Sequence, residues 1–149
     1  MVRPGTAVLD IGCGTGILSV LAARLGADRV AAADISPEAV KAARHNAALN
    51  GVQDRVFVRE SDLAQAVDGR FDLAAANILA DPLLRLLEQA DSFLRTDGTL
   101  ILSGIREGRM EEVEAAAKRR FDIAEKELRD GWGLLVLRLK SGEGRETAV

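Results

Sequence analysis

The sequence predicts an α/β domain in which a mostly parallel sheet, covered by helices on both faces, is closed by an antiparallel hairpin. Three observations lead there. Short apolar runs rich in Val, Ile and Ala alternate with longer segments of helical periodicity. A glycine-rich turn follows the first of these runs directly. The last two runs lie too close together for a crossover helix and must pair antiparallel. The 149 residues make one domain, large enough to bury roughly 70% of the unfolded surface and too small for two cores.

Thr6 to Ile11 is the first predicted strand, and a helix from about Ile17 to Leu25 follows the turn, stopping at Gly26. Arg29 to Asp34 is the second strand. Ser36 as cap and Pro37 at the first helical position open a helix that ends at Asn50-Gly51. Arg55 to Arg59 and Phe71 to Asn77 are strands three and four. Asp81-Pro82 starts a helix whose apolar residues at 83, 86, 87, 90 and 94 share one face. Asp97-Gly98 turns into strand five, Thr99 to Ser103, and Glu107 to Arg120 reads as a helix. Phe121 to Leu128 and Gly133 to Leu139 form the hairpin, turned at Asp130-Gly131. The count is seven strands in a mixed sheet, five joined through helices and two closing it, over residues 1–140. The Gly-rich, charged tail, 141–149, is expected to be disordered.

Composition narrows the function. Twenty basic residues, 16 Arg and 4 Lys, against 23 acidic ones leave a net charge of −3, so no global positive field draws the chain to nucleic acid or an anionic membrane. Aromatic residues are only 3% of the chain, which argues against a base-stacking platform. No uncharged run approaches the ~20 residues that span a bilayer. The lone Cys13 cannot form an internal disulfide, and no signal segment opens the chain, so a cytoplasmic location is expected. No His, Cys and carboxylate set has metal-ligand spacing, and no metal is expected.

The chemistry concentrates in Leu9-Asp10-Ile11-Gly12-Cys13-Gly14-Thr15-Gly16, where alternate glycines between strand and helix let backbone approach a ligand at a helix N-terminus. A dinucleotide fingerprint needs its third glycine at position 17, which is Ile17, and no Gly-Lys-Ser/Thr of a phosphate loop is present. The segment closely resembles the E/D-x-G-x-G-x-G turn of class I S-adenosylmethionine-dependent methyltransferases, which have a Rossmann-like fold. Asp34 ends strand two, 22 positions beyond Gly12, where a carboxylate can accept from both hydroxyls of a ribose. The cofactor is expected across the carboxyl ends of strands one, two and four. Asp62 follows strand three, where such enzymes commonly hold the adenine amino group; a solvated loop aspartate is the alternative. Asp10 is expected either to meet the cofactor's ammonium group, directly or through water, or to tie down the amides of the glycine loop.

Strand four ends in Asn77-Ile78-Leu79-Ala80-Asp81-Pro82-Leu83. Together with Asp34-Ile35-x-Pro37, Asn46-Ala47-x-x-Asn50-Gly51-Val52, Leu102-Ser103-Gly104-Ile105 and Trp132, this resembles the PrmA family, which methylates lysine and α-amino nitrogens of large-subunit ribosomal protein eleven. The similarity runs from about Val8 to Leu139. It implies S-adenosylmethionine as cofactor, contacts from Asp10, Gly12, Gly14, Gly16, Asp34, Ile35, Asp62 and Asn77, a ribosomal protein as partner, and no direct role for nucleic acid or membrane. Asn77 is the expected catalytic residue, its side-chain carbonyl orienting the acceptor amine; a strand-end turn residue is the alternative. His45, among polar helix residues, is expected to be solvated, and Cys13 to pack beneath the glycine loop. Lys118-Arg119-Arg120 reads as a helix-terminal cluster favoured by the helix dipole.

Family members also carry an N-terminal recognition domain and a segment upstream of strand one that helps enclose the cofactor, whereas only Met1 to Gly5 precede strand one here. The leading expectation is a protein N-methyltransferase. Two others stand beside it: a cofactor-binding core inactive alone, and a methyltransferase of another, small-molecule substrate.

Overall fold

A computed structural model describes residues 1–141. The elements in order are β1 (Ala7–Ile11), α1 (Ile17–Arg24), β2 (Arg29–Asp34), α2 (Pro37–Leu49), β3 (Val56–Glu60), β4 (Phe71–Asn77), α3 (Ala80–Glu88), the single turn α4 (Ala90–Phe93), β5 (Leu94–Arg106), α5 (Met110–Ala117), β6 (Phe121–Arg129) and β7 (Trp132–Leu139). The expectation of a disordered tail falls outside the described residues, apart from Ser141, whose hydroxyl donates to Asp97 Oδ1 at 2.9 Å.

The seven strands form one sheet in the order β3-β2-β1-β4-β5-β7-β6. β1 to β5 pair in parallel, and β7 joins β5 and β6 antiparallel. From β1 the chain builds outward through β2 and β3 on one side, then through β4 and β5 on the other. The order therefore reverses between β1 and β4, which opens a crevice at their carboxyl ends. The hairpin turns at Asp130 and Gly131, both at positive φ, as a two-residue type I′ turn requires.

Alternation along β1 divides the core into two layers. Val8 joins Val30, Ala32 and Leu73 against Ala22, Ala23, Val40, Ala43 and Ala47 of α1 and α2. Leu9 and Ile11 join Phe71, Leu100 and Leu102 against Leu83, Leu86, Leu87 and Val113 of α3 and α5. With both faces covered, β2 can be Val-Ala-Ala-Ala throughout, and its small side chains let the helices settle close to the sheet. Ser36 caps α2 by accepting from Ala39 N at 3.2 Å, with Pro37 at the first helical position.

Three sequence expectations need correction. The helix opened by Asp81-Pro82 begins at Ala80 and breaks at Gln89, so Leu94 is not on its face but opens β5 opposite Phe71. Phe93 and Leu94 are both fully buried, and a continuing helix would carry Leu94 away from Phe71. The Asp97-Gly98 turn then lies within β5, which advances five residues where β4 advances two. Glu107 to Arg120 is not one helix: Glu107–Arg109 form a 3-10 turn and residues after Ala117 turn back so that Phe121 can enter β6 buried. Finally, the link from β3 to β4 carries no helix, only turns in which Leu63 and Ala64 plug the core. The link must cross β2 and β1, about 14 Å of sheet at ~4.8 Å per strand. Its ten residues would be used up by a helix rising about 1.5 Å per residue.

Asp72 fastens the amino edge of the sheet. Its Oδ2 accepts from Ala7 N at 2.8 Å, and both oxygens lie 2.8 Å from Arg95 Nη1, so one carboxylate joins β1, β4 and β5. The Ala7 amide first, then Arg95, holds its pKa below the ordinary carboxylate value. A lowered folded pKa contributes stability that is present above the unfolded pKa and lost as pH falls through the folded one. Asp72→Ala is predicted to cost about 1 kcal/mol at pH 7, discounted for exposure, or a few degrees in Tm. The Tm difference from wild type should close as pH is lowered beneath the carboxylate range; a gap that persists in acid would exclude the charge as its source.

Candidate functional site

The glycine loop from Gly12 to Gly16 leaves β1 and must enter α1 at once. Gly12 N and Cys13 N both donate to Ala33 O, at 2.8 and 2.9 Å, which pins the loop to β2, and Gly16 N closes a turn onto Cys13 O at 2.8 Å. Gly12 has φ +69, and a Cβ there would collide with Ile78 Cγ2, so the residue that follows β4 sits directly on bare backbone after β1. No heavy atom lies within 4 Å of where a Gly14 Cβ would stand, so the loop's middle faces open space.

Asp10 shares the α1-facing side of β1 with Val8 and is buried. The residue at the cap of α1, Gly16, has no side chain, and Asp10 caps the helix in its place. Its Oδ2 accepts from Ser19 Oγ at 2.6 Å, and the Ser19 backbone N–H also bonds to this carboxylate. A carboxylate beside a helix N-terminus is electrostatically favoured. Burial nevertheless pushes the Asp10 pKa above its ordinary value, offset by the Ser19 bonds and reinforced by the Asp34 charge.

Of the two roles expected for Asp10, tying down the glycine loop is performed by Asp34. The Asp34 Oδ2 accepts from Gly14 N and its Oδ1 from Ser36 N, both at 2.9 Å. Its backbone carbonyl accepts from Ser61 N at 2.9 Å, bringing the end of β3 alongside. Ile35 follows with its side chain 69% exposed, an apolar group held out at the same edge. Asp62, next along from Ser61, is half-exposed and lies 3.4 Å from Arg85 Nη1 of α3. Asn77 ends β4, exposed and in register with Ser103 of β5. Asp10, Gly12, Gly14, Gly16, Asp34, Ile35, Asp62 and Asn77 thus lie at or just beyond the carboxyl ends of β1 to β4, with Asn77 tied to the glycine loop through Ile78.

Cys13 is buried in the layer beneath this loop, as the sequence suggests, and its thiol is pushed up to about 12 by burial and by the charges of Asp10 and Asp34. It stays neutral and is no nucleophile. His45 is exposed on α2, as the sequence suggests. Among the described residues no group of three His, Cys, Asp or Glu side chains could hold a metal ion, and no helix is long and apolar enough to cross a membrane. The groove between α3 and α5 is lined by Leu84, Leu87, Glu88, Glu112, Ala116 and Arg119, and holds none of the residues expected to form the site.

Some features of this edge escape sequence reasoning. Ile17, which opens α1, and Leu79, in the loop after β4, are 73% and 65% exposed. Arg109 bridges Asp81 Oδ1 and Glu112 Oε2, each at 2.7 Å, and so fastens the first turn of α3 to the turn after β5. Trp132 opens β7 at the same end, with the Arg106 guanidinium 5.3 Å from its ring centre. Trp132, part of the family resemblance, and Ser19, the hydroxyl of α1, carried a signal in the sequence.

A parallel sheet with this switch point, a glycine loop after β1, an acid ending β2 and a closing antiparallel hairpin define the Rossmann-like methyltransferase fold. The same fold is found at 21% identity in a Salinibacter ruber RNA methyltransferase solved in complex with S-adenosyl-L-homocysteine, with a TM-score of 0.76 over 97% of this chain and 88% of that one. Within that class the family model "Ribosomal protein L11 methyltransferase (PrmA)" matches residues 1–140, and the chain belongs to this family. Ribosomal protein L11 methyltransferases of Thermosipho africanus and Lactobacillus gasseri are 43% and 46% identical over 92% and 93% of the chain, covering 50% and 44% of their own lengths. The crystal structure of a ribosomal protein L11 methylase from Lactobacillus delbrueckii subsp. bulgaricus superposes with a TM-score of 0.88 at 44% identity, over 94% of this chain and 72% of that one. The chain spans about half the length of the curated relatives it matches.

The raised pKa of Asp10 yields a prediction with a definite sign. A carboxyl whose folded pKa is raised makes the fold less stable as pH rises through it. Asp10→Asn, which can still accept from Ser19, should therefore match or exceed wild-type Tm at pH 7, and the difference should shrink as pH falls into the carboxylate range. A variant that is less stable than wild type by the same margin at every pH would contradict this account.

Proposed function

We propose that the chain is the methyl-transfer core of an S-adenosylmethionine-dependent N-methyltransferase acting on lysine or α-amino nitrogens of a ribosomal protein in the cytoplasm. The observation that carries this reading is the state of the Asp34 carboxylate. Two oxygens offer about four acceptor sites. Gly14 N and Ser36 N each use one, on different oxygens, and so hold the group rigid while leaving capacity on both for the paired hydroxyls of a ribose. The open face of Gly14 leaves room for the ligand beside it, and family membership supports the choice of cofactor.

When bound, S-adenosylmethionine supplies an electron-poor methyl group on a sulfonium. The residues of the chain bind it, balance its charge and orient the acceptor. Gly12 and Gly14 bring backbone close with no side chain in the way. Ile35 offers an apolar surface for the base, and Asp62 an acceptor for its amino group. Asp10, buried behind the loop, adds negative charge that would help balance the cofactor's cationic groups. The acceptor amine must be neutral, which for a lysine of pKa ~10.4 costs about 4 kcal/mol near neutral pH; desolvation and a nearby cation lower that cost. Asn77 accepts a hydrogen bond from the amine N–H through its side-chain carbonyl and aims the lone pair along the S–C bond, so the chain orients two reactants more than it supplies an acid or base.

The test is to titrate the chain with S-adenosylmethionine in a calorimeter and, in parallel, to follow labelled methyl transfer to unmethylated large-subunit ribosomal protein eleven. Since the chain covers half the length of its relatives, binding without transfer would favour a core that needs a further part to act. Asp34→Ala should weaken cofactor binding roughly 10- to 100-fold, the size of a lost charge-assisted hydrogen bond of ~1.5–3 kcal/mol. Unchanged affinity would remove Asp34 from the site. Asn77→Ala should preserve cofactor affinity better than turnover; equal losses in both would contradict an orienting role.

A further inference from the structure

β5 carries an extra residue beside the candidate acceptor site. Leu102 faces Leu135 and Ile105 faces Gly133 across the antiparallel ladder, so three steps on β5 match two on β7 and the strand bulges at Ser103-Gly104. On its other side Ser103 is still paired with Asn77. Bulges next to reactive sites commonly re-aim a neighbouring side chain. Here the bulged residue has φ +77, and a Cβ built on Gly104 would stand 2.7 Å from Asn77 Oδ1 and 3.0 Å from Ile78 O. The Asn77 amide therefore lies against the bare Cα of Gly104. Among the described residues no hydrogen bond restrains the Asn77 side chain, so what it packs on decides where its oxygen points.

We propose that Gly104 is a positioning residue for methyl transfer: the Ser103-Gly104 bulge of β5 forms the floor that holds the Asn77 carbonyl at the end of β4, where the acceptor amine must be oriented. The inference rests on the reading of Asn77 given above and adds the group that fixes its geometry. Gly104 itself touches neither reactant. A side chain there lifts the Asn77 amide and Ile78 together and turns the carbonyl away from the amine without altering the Asp34 end of the crevice.

Two substitutions separate the backbone requirement from the contact. Gly104→Ala adds a Cβ and strains the positive φ, whereas Gly104→Asn adds the same Cβ in a residue that tolerates that conformation. Both should lower kcat for methyl transfer by about tenfold or more while the calorimetric Kd for S-adenosylmethionine stays within about twofold, the pattern of an interaction made in the transition state. In an Asn77→Ala background, Gly104→Asn should cost nothing further. The Asn77 side-chain amide resonance, assigned by its loss in Asn77→Ala, reads the same contact without turnover and should move in folded Gly104→Asn. Wild-type kcat in Gly104→Asn, an unmoved Asn77 resonance, or an equal fall in kcat with and without Asn77 would each overturn the proposal. Wild-type kcat in Asn77→Ala is a different result: it refutes the Asn77 reading itself, and the catalytic purpose of Gly104 falls with it.

Discussion

At the end of β1 the backbone has to leave the sheet, reverse and start a helix within the five residues from Gly12 to Gly16, while Ile78, just after β4, presses on it from the side. Only a chain without a Cβ at position 12 allows both. The collision that a side chain would make with Ile78 Cγ2 means that the loop after β1 and the loop after β4 can be neighbours only because Gly12 is bare. That neighbourhood is the crevice of the switch point, and the other groups of the site are arranged around it.

Two aspartates keep the arrangement rigid by different means. Asp34 lies at the edge and spends part of its acceptor capacity on Gly14 and Ser36, which sets the loop and the start of α2 in one frame. Asp10 is buried one layer back and serves the helix, supplying through Ser19 the cap that Gly16 cannot. Their charges face the same loop and raise the Asp10 pKa together with burial. A buried carboxylate so placed is a stability cost that a cationic ligand at this edge would offset, which links the electrostatics of the ligand-free chain to the chemistry proposed for it.

The working edge is held from the far side by contacts between residues distant in sequence. Arg109 ties the first turn of α3 to the turn after β5 across 28 positions of sequence, and the Gly104 bulge meets Asn77 across 27. Surface ion pairs such as this contribute little stability singly; the Arg109 bridge matters for where it places Asp81 and the residues before it.

The alternation of apolar runs with helical periodicity, the Asp-x-Gly-x-Gly-x-Gly turn, the acid 22 residues beyond Gly12 and the short spacing of the last two strands were enough to determine the fold class, the hairpin and the edge of the candidate site, while segments such as Asn77-Ile78-Leu79 and Asp34-Ile35-x-Pro37 carried the family resemblance. These are local patterns, written in residues close along the chain, and local chemistry controls them. The tertiary structure decided the rest. Leu94 fits the helical spacing equally well but is claimed by Phe71 across the sheet. The β3–β4 link is too short for the distance it must cover with a helix. Asp34, not Asp10, holds the loop amides, because the side-chain alternation of β1 turns Asp10 toward α1. Gly104 lies one residue past the strand that the sequence predicts, and becomes the floor under Asn77 only when β5 runs on and bulges beside β4. Each of these depends on a partner distant in sequence, and no periodicity within one segment records it.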